Sequence, residues 1–194
     1  MELLKGKKVY LKLFEECDIP NRVKWINDPD IQYTLNYDIP TSISKTQRWF
    51  ANAVMNPSRR EFSIFTVDGD KHIGFCGLFN IEIPVMKAEL HCVIGEKEYW
   101  SGGYGTEAYK LLDDYGFREL GLNKIYGYQM LHNHGAHRVV EKLGWVREGL
   151  LRQETYSHGC VKDVYYVSIL REDWLKINNF TEEELLPYPN SKHI

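Results

Sequence analysis

Three glycines form the part of this sequence with the clearest chemistry. Gly102, Gly103 and Gly105 follow an apolar run at residues 88–94 and precede an amphipathic run that starts at Ala108. Glycine accepts positive φ angles and lets a ligand come close to the backbone. The first turn of a helix offers N–H groups without intrahelical acceptors and carries a partial positive charge. The order of strand, glycine turn and helix therefore predicts an anion site that can hold a pyrophosphate through main-chain amides.

The spacing of these glycines differs from that of two common nucleotide-binding loops. A Gly-x-Gly-x-x-Gly loop would need a third glycine at Ala108, and a P-loop would need a Gly-Lys-Ser/Thr sequence that this chain lacks. A short Gly-Gly-Tyr-Gly turn remains. The glycines alone also fit a second interpretation, which is a tight loop without a ligand.

The patterns on either side of the glycines predict the elements that position them. Residues 88–94 are typical of a strand that ends at Gly95, and residues 124–130 are typical of a second strand. After that strand, Asn133 is placed to cap a helix that Gly144 ends. The helix after the glycines has one apolar face, made by Ala108, Leu111, Leu112 and Tyr115.

The rest of the chain predicts further strands and helices of a mixed α/β protein. A short helix follows Asp18, which is placed to cap it, and another begins at Ser42 or Ser44 and ends by Pro57. The predicted strands are residues 9–13, the hairpin of 61–67 with 72–81, and the hairpin of 147–156 with 161–170.

Two signatures in this order resemble those of the GNAT superfamily of N-acetyltransferases. Residues 100–105, Trp-Ser-Gly-Gly-Tyr-Gly, resemble its Arg/Gln-x-x-Gly-x-Gly/Ala motif, with Trp100 in place of the usual first residue. Residues 133–145 resemble its Asn-x-x-Ala-x-x-x-x-Glu-Lys-x-Gly-Phe signature and follow about 30 positions later. The first stretch is similar to that of the subgroup containing ribosomal-protein N-terminal, spermidine and nucleotide-aminosugar acetyltransferases.

This resemblance implies a mainly antiparallel sheet in a mixed α/β fold, in which the parallel central strands splay apart. It covers about residues 7–175, so we expect a single domain at residues 1–176 and an appendage at 177–194. Family members are often dimers, which makes a homodimer possible.

The resemblance also implies acetyl-CoA as the acetyl donor. In the family, unpaired backbone groups of the splayed strand hold the pantetheine arm, and an N–H, here at Cys92 or Val93, stabilises charge on the reacting carbonyl oxygen. Asn133 would contact the donor, although it can equally be a plain helix cap. Lys142 would meet a phosphate, or lie on a solvated basic face. The residues expected to bind the donor are Cys92, Val93, Ile94, Gly102, Gly103, Tyr104, Gly105, Thr106, Asn133 and Lys142.

Catalysis requires a group that removes a proton from the acceptor. An alkyl ammonium with a pKa near 10.4 lies about three units, or about 4 kcal/mol, from its reactive form at pH 7. Glu89 and His91 are two residues apart and therefore share one face of their strand, so either can act as a base, directly or through water. The alternatives are a buried structural role for Glu89 and ordinary packing for His91.

The departing thiolate needs a second group, one that donates a proton to it. Many family members carry a tyrosine at the position of Val140, and some relatives use a serine at the position of Ala136; this chain has neither. Tyr126, Tyr128 and Tyr156 are possible substitutes. The missing donor also motivates a non-enzymatic alternative, an acyl-CoA-binding regulatory module.

The loop between the first two helices covers the acceptor in the family, and here it is rich in polar and aromatic side chains. Tyr33, Asn36, Tyr37 and Asp38 are therefore expected to bind the acceptor. The expected acceptor is a small amine such as a nucleotide-linked aminosugar. The alternatives are a protein N-terminus, as in the ribosomal-protein enzymes, and a polyamine.

Composition sets the remaining expectations. The 194 residues carry a net charge of −3 with both signs interspersed, which gives no reason to expect nucleic acid or an anionic membrane as partner. No signal peptide or membrane span is evident, so a cytoplasmic location is expected. Four cysteines without paired spacing predict free thiols. The histidines around residue 134 lack the partners of a metal site, so no metal is expected.

Overall fold

The computed structural model of this chain describes residues 4–35, 39–157 and 159–185. The strands of this part are β1 (Val9–Leu13), β2 (Arg60–Thr66), β3 (His72–Glu82), β4 (Lys87–Ile94), β5 (Lys124–Met130), β6 (Val146–Ser157) and β7 (Cys160–Leu170). Its α-helices are α1 (Ile19–Ile26), α2 (Pro29–Gln32), α3 (Ile43–Val54), α4 (Tyr104–Arg118), α5 (His134–Lys142), α6 (Arg171–Asn178) and α7 (Glu182–Leu185).

All seven strands form one sheet in the order β1-β2-β3-β4-β5-β7-β6. Neighbouring strands are antiparallel except for β4 and β5, which are parallel. The predicted fold class, a mixed and mainly antiparallel sheet with parallel central strands, is confirmed.

Apolar side chains pack on both faces of the sheet. On one face α4 buries the predicted stripe, and Ala108 and Leu112 are fully buried against strand residues such as Ile125. On the other face α1 and α3 enclose a smaller cluster around Trp25 and Phe75. This second layer leaves the region over β4, β5 and β7 partly uncovered, and polar side chains collect there.

The two parallel strands separate soon after they meet. β4 pairs with β5 only at Lys87, Ala88 and Glu89 among the residues that the structure describes. Beyond Glu89 the side of β4 that faces β5 has no strand neighbour in this part of the chain. The predicted splay is therefore present, and it opens towards the carboxyl end of β4.

The hydrogen bonds of β4 show which backbone groups face the gap. The N–H of Lys124 in β5 donates to the carbonyl of Met86, and the N–H of Gly95 donates to Ile73 at the end of β3. Because backbone groups of successive residues alternate in direction, the even-numbered residues of β4 face β5 and the odd-numbered ones face β3. Cys92 therefore presents its N–H to the gap, whereas the N–H of Val93 is turned towards β3.

Three local details differ from the sequence pattern or add to it. α4 begins at Tyr104, so Gly105 and Thr106 belong to its first turn. Asp18 precedes α1 but does not cap it, because its buried carboxylate accepts a 2.5 Å hydrogen bond from Ser63 Oγ instead. Helix α6 has no counterpart in the sequence prediction, and the domain boundary predicted at residue 176 lies inside it.

Candidate active site

The glycine turn presents main-chain amides at the start of α4. Gly103 is the N-cap residue with φ +83°, and the first intrahelical bond runs from the N–H of Glu107 to its carbonyl. The N–H groups of residues 103–106 therefore have no intrahelical acceptor. A Cβ built on Gly103 would have only Lys8 Nζ within 4 Å, at 3.8 Å, so the space in front of the turn can admit a ligand. The turn fits the pyrophosphate expected from the sequence.

The beginning of β1 braces this turn. The Glu107 carboxylate accepts backbone N–H bonds from Lys7, Lys8 and Val9 at 3.0, 2.6 and 2.8 Å. Lys8 Nζ in turn donates to the carbonyl of Gly102 at 2.7 Å. This lysine brings a positive charge to the turn, and sequence reasoning missed it because it lies almost a hundred residues away in the chain.

The exposed edge of β4 continues from the glycine turn into the gap. A Cβ built on Gly105 would lie 3.5 Å from Ile94 Cγ1, so the first turn of α4 packs beside the end of β4. The indole N–H of Trp100 donates to the carbonyl of Ile94 at 2.8 Å, so the last carbonyl on this edge of β4 already accepts a hydrogen bond. Cys92 presents its N–H further inside. The glycine turn and the free edge of β4 thus form one continuous surface of backbone groups.

A cleft of about 400 Å³ lies at the splay. Two carboxylates, Glu89 and Glu154, contribute to its wall, and the lining in the described part of the chain includes no lysine or arginine. The cleft therefore suits a cationic group. Its lining residues are Thr34, Leu35, Phe79, Glu89, Leu90, His91, Cys92, Val93, Tyr109, Tyr128, Gln129, Met130, Asn133, Ala136, Glu154, Thr155 and Val164.

Glu89 is the carboxylate of β4 that lines this cleft. It accepts a hydrogen bond from Asn80 Nδ2 at 3.2 Å. Burial raises the pKa of Glu89 above its ordinary value, and the opposing effects of Asn80 and Arg59 do not cancel this. A carboxylate with a raised pKa is more basic, which suits a group that must accept a proton.

His91 also lines the cleft, and it contacts a carboxylate that the sequence did not suggest. Its Nε2 lies 3.0 Å from Glu61 Oε2 on β2, although β3 runs between the two strands. Gly77 of β3 stands in register between them, opposite both Glu61 and His91. A Cβ on Gly77 would lie 2.9 Å from His91 Nε2, so the glycine leaves the room that the imidazole occupies.

Glu61 is buried among positive partners. Arg59 Nη1 donates to it at 2.6 Å, and Arg22 Nη1 lies 3.9 Å away. Burial alone would raise the pKa of Glu61, but His91, Arg22 and Arg59 together outweigh burial and lower it. Glu61 therefore stays ionised and orients His91.

The residues of α5 are placed as follows. Asn133 is the N-cap, and its side chain accepts from the N–H of Ala136 at 3.0 Å, so the cap interpretation is confirmed. Asn133 also lines the cleft. Lys142 is exposed at the end of the helix. Val140 is buried, and its aliphatic side chain cannot donate a proton to the departing thiolate.

The tyrosines divide into those at the cleft and those away from it. Tyr128 lines the cleft, and the centre of the Tyr126 ring lies 6.0 Å from the centre of the Tyr128 ring. Tyr156 is exposed on β6. Sequence reasoning missed Tyr109, which reaches the cleft from α4. Burial, assisted by Cys92, raises the pKa of Tyr109, so its hydroxyl keeps its proton at neutral pH.

The predicted acceptor loop borders the cleft in part. Thr34 and Leu35 line it. Tyr33 is exposed, and its carbonyl lies 2.6 Å from His132 Nε2. The other three residues predicted to bind the acceptor, Asn36, Tyr37 and Asp38, lie outside the described residues.

The described residues contain neither a cluster of metal ligands nor a membrane-spanning helix. Across 4–35, 39–157 and 159–185, no three His, Cys, Asp or Glu side chains converge as potential metal ligands. No helix in these ranges combines the length and apolarity that crossing a membrane requires. The four cysteines are free thiols, with Cys76 buried.

Comparison with known proteins identifies the family. A model described as an acetyltransferase (GNAT) domain matches residues 8–146. A protein of Bacillus subtilis (strain 168) named uncharacterized N-acetyltransferase YnaD is 34% identical over 168 residues, which cover 87% of this chain and 96% of that protein. The spermidine N(1)-acetyltransferase of Escherichia coli (strain K12) is 31% identical over 133 residues, covering 69% of this chain and 70% of that protein.

The fold is also found among solved structures. A spermidine N-acetyltransferase from Vibrio cholerae, crystallised in complex with CoA and spermine, matches with a TM-score of 0.81 at 24% identity. The match covers 88% of this chain and 99% of that one. The chain therefore belongs to the GNAT superfamily of N-acetyltransferases, and acetyl-CoA is its acetyl donor.

Proposed function

We propose that the cleft at the splay receives the primary amine of a small molecule and that Glu89 is the base that deprotonates it. The observation that carries this proposal is a half-buried carboxylate with a raised pKa in a cleft whose described lining has no lysine or arginine. An ammonium ion is attracted to such a site, and the more basic carboxylate takes its proton more readily.

Backbone and side-chain groups of this chain would bind the donor and stabilise the charge that develops on its reacting carbonyl. Acetyl-CoA supplies the acetyl group as a thioester. The amides of residues 103–106 and the Lys8 ammonium would hold its pyrophosphate, and the free edge of β4 would hold its amide-rich arm. The N–H of Cys92 would donate to the carbonyl oxygen on which negative charge develops, so we propose Cys92 rather than Val93 for this role.

Tyr109 is the proposed proton donor for the departing sulfur. It lines the cleft, as Cys92 and Asn133 do, and its hydroxyl carries a proton at neutral pH. The nitrogen loses two protons on going from ammonium to amide. Glu89 takes the first and releases it to solvent before the attack, and it takes the second as the bond to sulfur breaks, while Tyr109 gives one proton to the sulfur. Solvent can restore both groups after the reaction.

Tyr109→Phe tests this assignment. At pH 7 a thiol with a pKa near 8.5 leaves as an anion at a cost of about 2 kcal/mol, so we expect kcat to fall by up to about thirtyfold. The loss should shrink above pH 8.5, where the thiolate is stable without a donor. Tyr128→Phe is the control because it removes another hydroxyl from the same cleft. Equal losses for the two variants, or a loss independent of pH, would remove Tyr109 from this role.

The acceptor is proposed at the level of a small amine. A nucleotide-linked aminosugar, the acceptor expected from the sequence, is the first candidate. A polyamine is the second, because the relative from Escherichia coli is a spermidine acetyltransferase and the cleft carries two carboxylates. Acetylation of a protein N-terminus is the remaining alternative from the sequence.

Thiol release in the presence of acetyl-CoA and a panel of amines tests the proposed function. The panel contains an aminosugar, an aminosugar phosphate, spermidine and a short peptide with a free N-terminus. We expect release above the buffer rate with at least one small amine. Tight CoA binding without release for any amine would contradict the proposal and favour the acyl-CoA-binding module.

A further inference from the structure

One buried amide side chain at the active-site cleft has a donor that the fold does not pair. Gln129 of β5 lines the cleft and is 5% exposed. Its Nε2 is buried and has no hydrogen-bond acceptor among the described residues. A buried N–H without an acceptor costs free energy, so natural proteins rarely keep one without a function. Packing of the fold does not explain why a glutamine stands at this position.

Strand alternation places Gln129 on the sheet face that α4 covers. Ile125, four residues earlier on β5, lies under this helix, since a Cβ built on Gly116 would come within 2.7 Å of its Cδ1. Residues four apart on a strand share one face. Tyr165, which stands opposite Gln129 in the register of β5 with β7, packs against the same apolar cluster as Ile125. The Gln129 side chain therefore lies on the side of the cleft where α4 and its glycine turn are.

The proposed base lies on the opposite face of the sheet. Leu90 belongs to the cluster under α4, so its neighbours Glu89 and His91 face the other way. The ammonium of the acceptor would meet Glu89 on that face, whereas a donor arm that starts at the glycine turn would run along the face of Gln129. Tyr109 of α4, which also lines the cleft, is uncharged at neutral pH. The two polar side chains that α4 and β5 contribute on this face are therefore neutral.

A carboxamide is complementary to the amides of the donor arm. Glutamine donates through Nε2 and accepts through Oε1, and a half-turn of its last side-chain torsion exchanges the two atoms, so either can face the cleft. An amide of the arm likewise carries one N–H and one carbonyl. A chain held in the gap as an extra strand pairs with β4 along one edge, and the polar groups of its other edge face β5. Gln129 stands on β5, where it can pair with one of these groups.

We propose that Gln129 binds the pantetheine arm of acetyl-CoA through hydrogen bonds between its carboxamide and an amide of the arm. The inference rests on the path of the donor along β4 that belongs to the proposed function. Bound CoA then supplies the partner that the fold does not give to Gln129. The residue contributes to donor affinity and not to proton transfer, because a carboxamide does not titrate at neutral pH.

Gln129→Met tests this inference with two measurements on one variant. Methionine is similar in volume and flexible, but it has no amide to pair. In the protein without ligand the Tm should stay the same or rise, because the unpaired N–H is removed. The affinity for CoA, measured by calorimetry, should fall about tenfold, because an amide of the arm loses its partner in a buried place. A lower Tm without ligand would indicate a structural role, and this result or an unchanged CoA affinity would overturn the inference.

The adenosine bisphosphate part of CoA separates this contact from binding elsewhere, because it lacks the pantetheine arm. Gln129→Met should bind this fragment as the wild type does. Tyr128→Phe is the matched control, because Tyr128 lines the same cleft from the opposite face of β5, and it should keep the wild-type affinity for CoA. Equal losses of CoA affinity in both variants, or equal losses for CoA and the fragment in Gln129→Met, would overturn the inference.

The same titrations distinguish a failure of this inference from a failure of the proposed function. A wild-type protein that binds CoA no better than the fragment would contradict the proposed path of the arm, and the role of Gln129 with it. A preference for CoA that Gln129→Met retains in full would overturn the role of Gln129 alone.

Discussion

Glu61 on β2 and Glu89 on β4 are two carboxylates on either side of β3, and their environments differ. Glu61 has cationic partners on several sides and stays ionised because they lower its pKa. Glu89 has Asn80 as its hydrogen-bond partner and a pKa raised by burial. Environments that move two pKa values apart are a mark of acid–base sites. Glu61 therefore positions His91, whereas Glu89 is available to accept a proton.

Glu89→Gln should abolish most of the activity. We expect kcat to fall about a hundredfold or more, the usual contribution of a general base. In the wild type, kcat/KM should fall with decreasing pH as Glu89 becomes protonated, and this should begin above the ordinary glutamate range because the pKa is raised. Glu154→Gln removes the other carboxylate of the cleft and should keep this acid limb. A Glu89→Gln enzyme with the wild-type pH profile would exclude Glu89 as the base.

The same substitution should stabilise the protein at neutral pH. A folded-state pKa above the unfolded value means that the folded state holds the proton more tightly, so stability is lost as pH rises through this window. Glutamine has no such penalty. The Tm of Glu89→Gln should therefore exceed that of the wild type at pH 7, and the difference should narrow below the ordinary glutamate pKa. A lower Tm at pH 7 would contradict the account of Glu89 burial.

The sequence could predict only part of this residue-level arrangement. Glu89 and His91 are two residues apart, and strand alternation alone places them on one face. Glu61 is on another strand, and its contact with His91 depends on a gap at Gly77 that only the register reveals. Lys8 and Tyr109 likewise reach the site through packing between elements that are distant in sequence.

At the scale of elements, the register of three strands connects Glu61 to His91. Gly77→Ala would place a Cβ 2.4 Å from the carbonyl of Arg60 and 2.9 Å from His91 Nε2. We expect a loss of about 1–3 kcal/mol from overpacking, which corresponds to a Tm fall of about 2–4 °C per kcal/mol. The activity should fall as well, because His91 lines the cleft together with Glu89 and its displacement changes the cleft wall.

Gly149→Ala is the control for this variant, because Gly149 lies in β6 and a Cβ there meets nothing within 4 Å. Its free energy of unfolding should match that of the wild type within about 0.5 kcal/mol, as expected of a surface substitution. If Gly77→Ala behaved in the same way, the close passage of His91 over β3 would be wrong.

The elements themselves were largely predictable. The amphipathic stripe of α4 and the two hairpins follow from local patterns and appear in the structure. The start of α3 was predicted at Ser42 or Ser44, and Ser42 is the N-cap. α6 was not predicted, since its two buried residues, Trp174 and Leu175, give too short an apolar pattern among charged neighbours. The separation of β4 from β5 followed only from the family resemblance, because pairing between distant strands has no local signal.

At the scale of the whole molecule, the end of the described chain packs on the domain core. The ring of Phe180 lies 5.5 Å from Trp174, and Arg118 lies 4.3 Å from the centre of the same ring. Arg171 Nε pairs with Glu182 at 3.0 Å. These contacts cross residue 176, where the domain boundary was placed, and that boundary stays a prediction.

Two truncations test the boundary. A chain ending at residue 176 loses the contacts of Phe180 and Glu182, whereas one ending at 185 keeps them. We expect the shorter chain to be less stable by about 1–3 kcal/mol, below the 3–5 kcal/mol of a fully buried phenylalanine. Phe180→Ala in the longer chain should reproduce most of this loss in thermal unfolding. Identical Tm values for the two truncations would support a domain that ends at 176.

The central claim is that main-chain amides of residues 103–106 bind the donor and direct it into the gap beside β4. The CoA dissociation constant of Gly103→Ala, measured by calorimetry, tests this most directly. Gly69→Ala is the matched control, because Gly69 has nearly the same φ, +82°, in a turn with nothing within 4 Å. Both variants should lose about 1–2 kcal/mol of stability from the left-handed conformation. The account predicts CoA affinity weakened about tenfold or more in Gly103→Ala alone, because a Cβ there occupies the ligand's side of the turn. Equal CoA affinity for Gly103→Ala, Gly69→Ala and the wild type would contradict it.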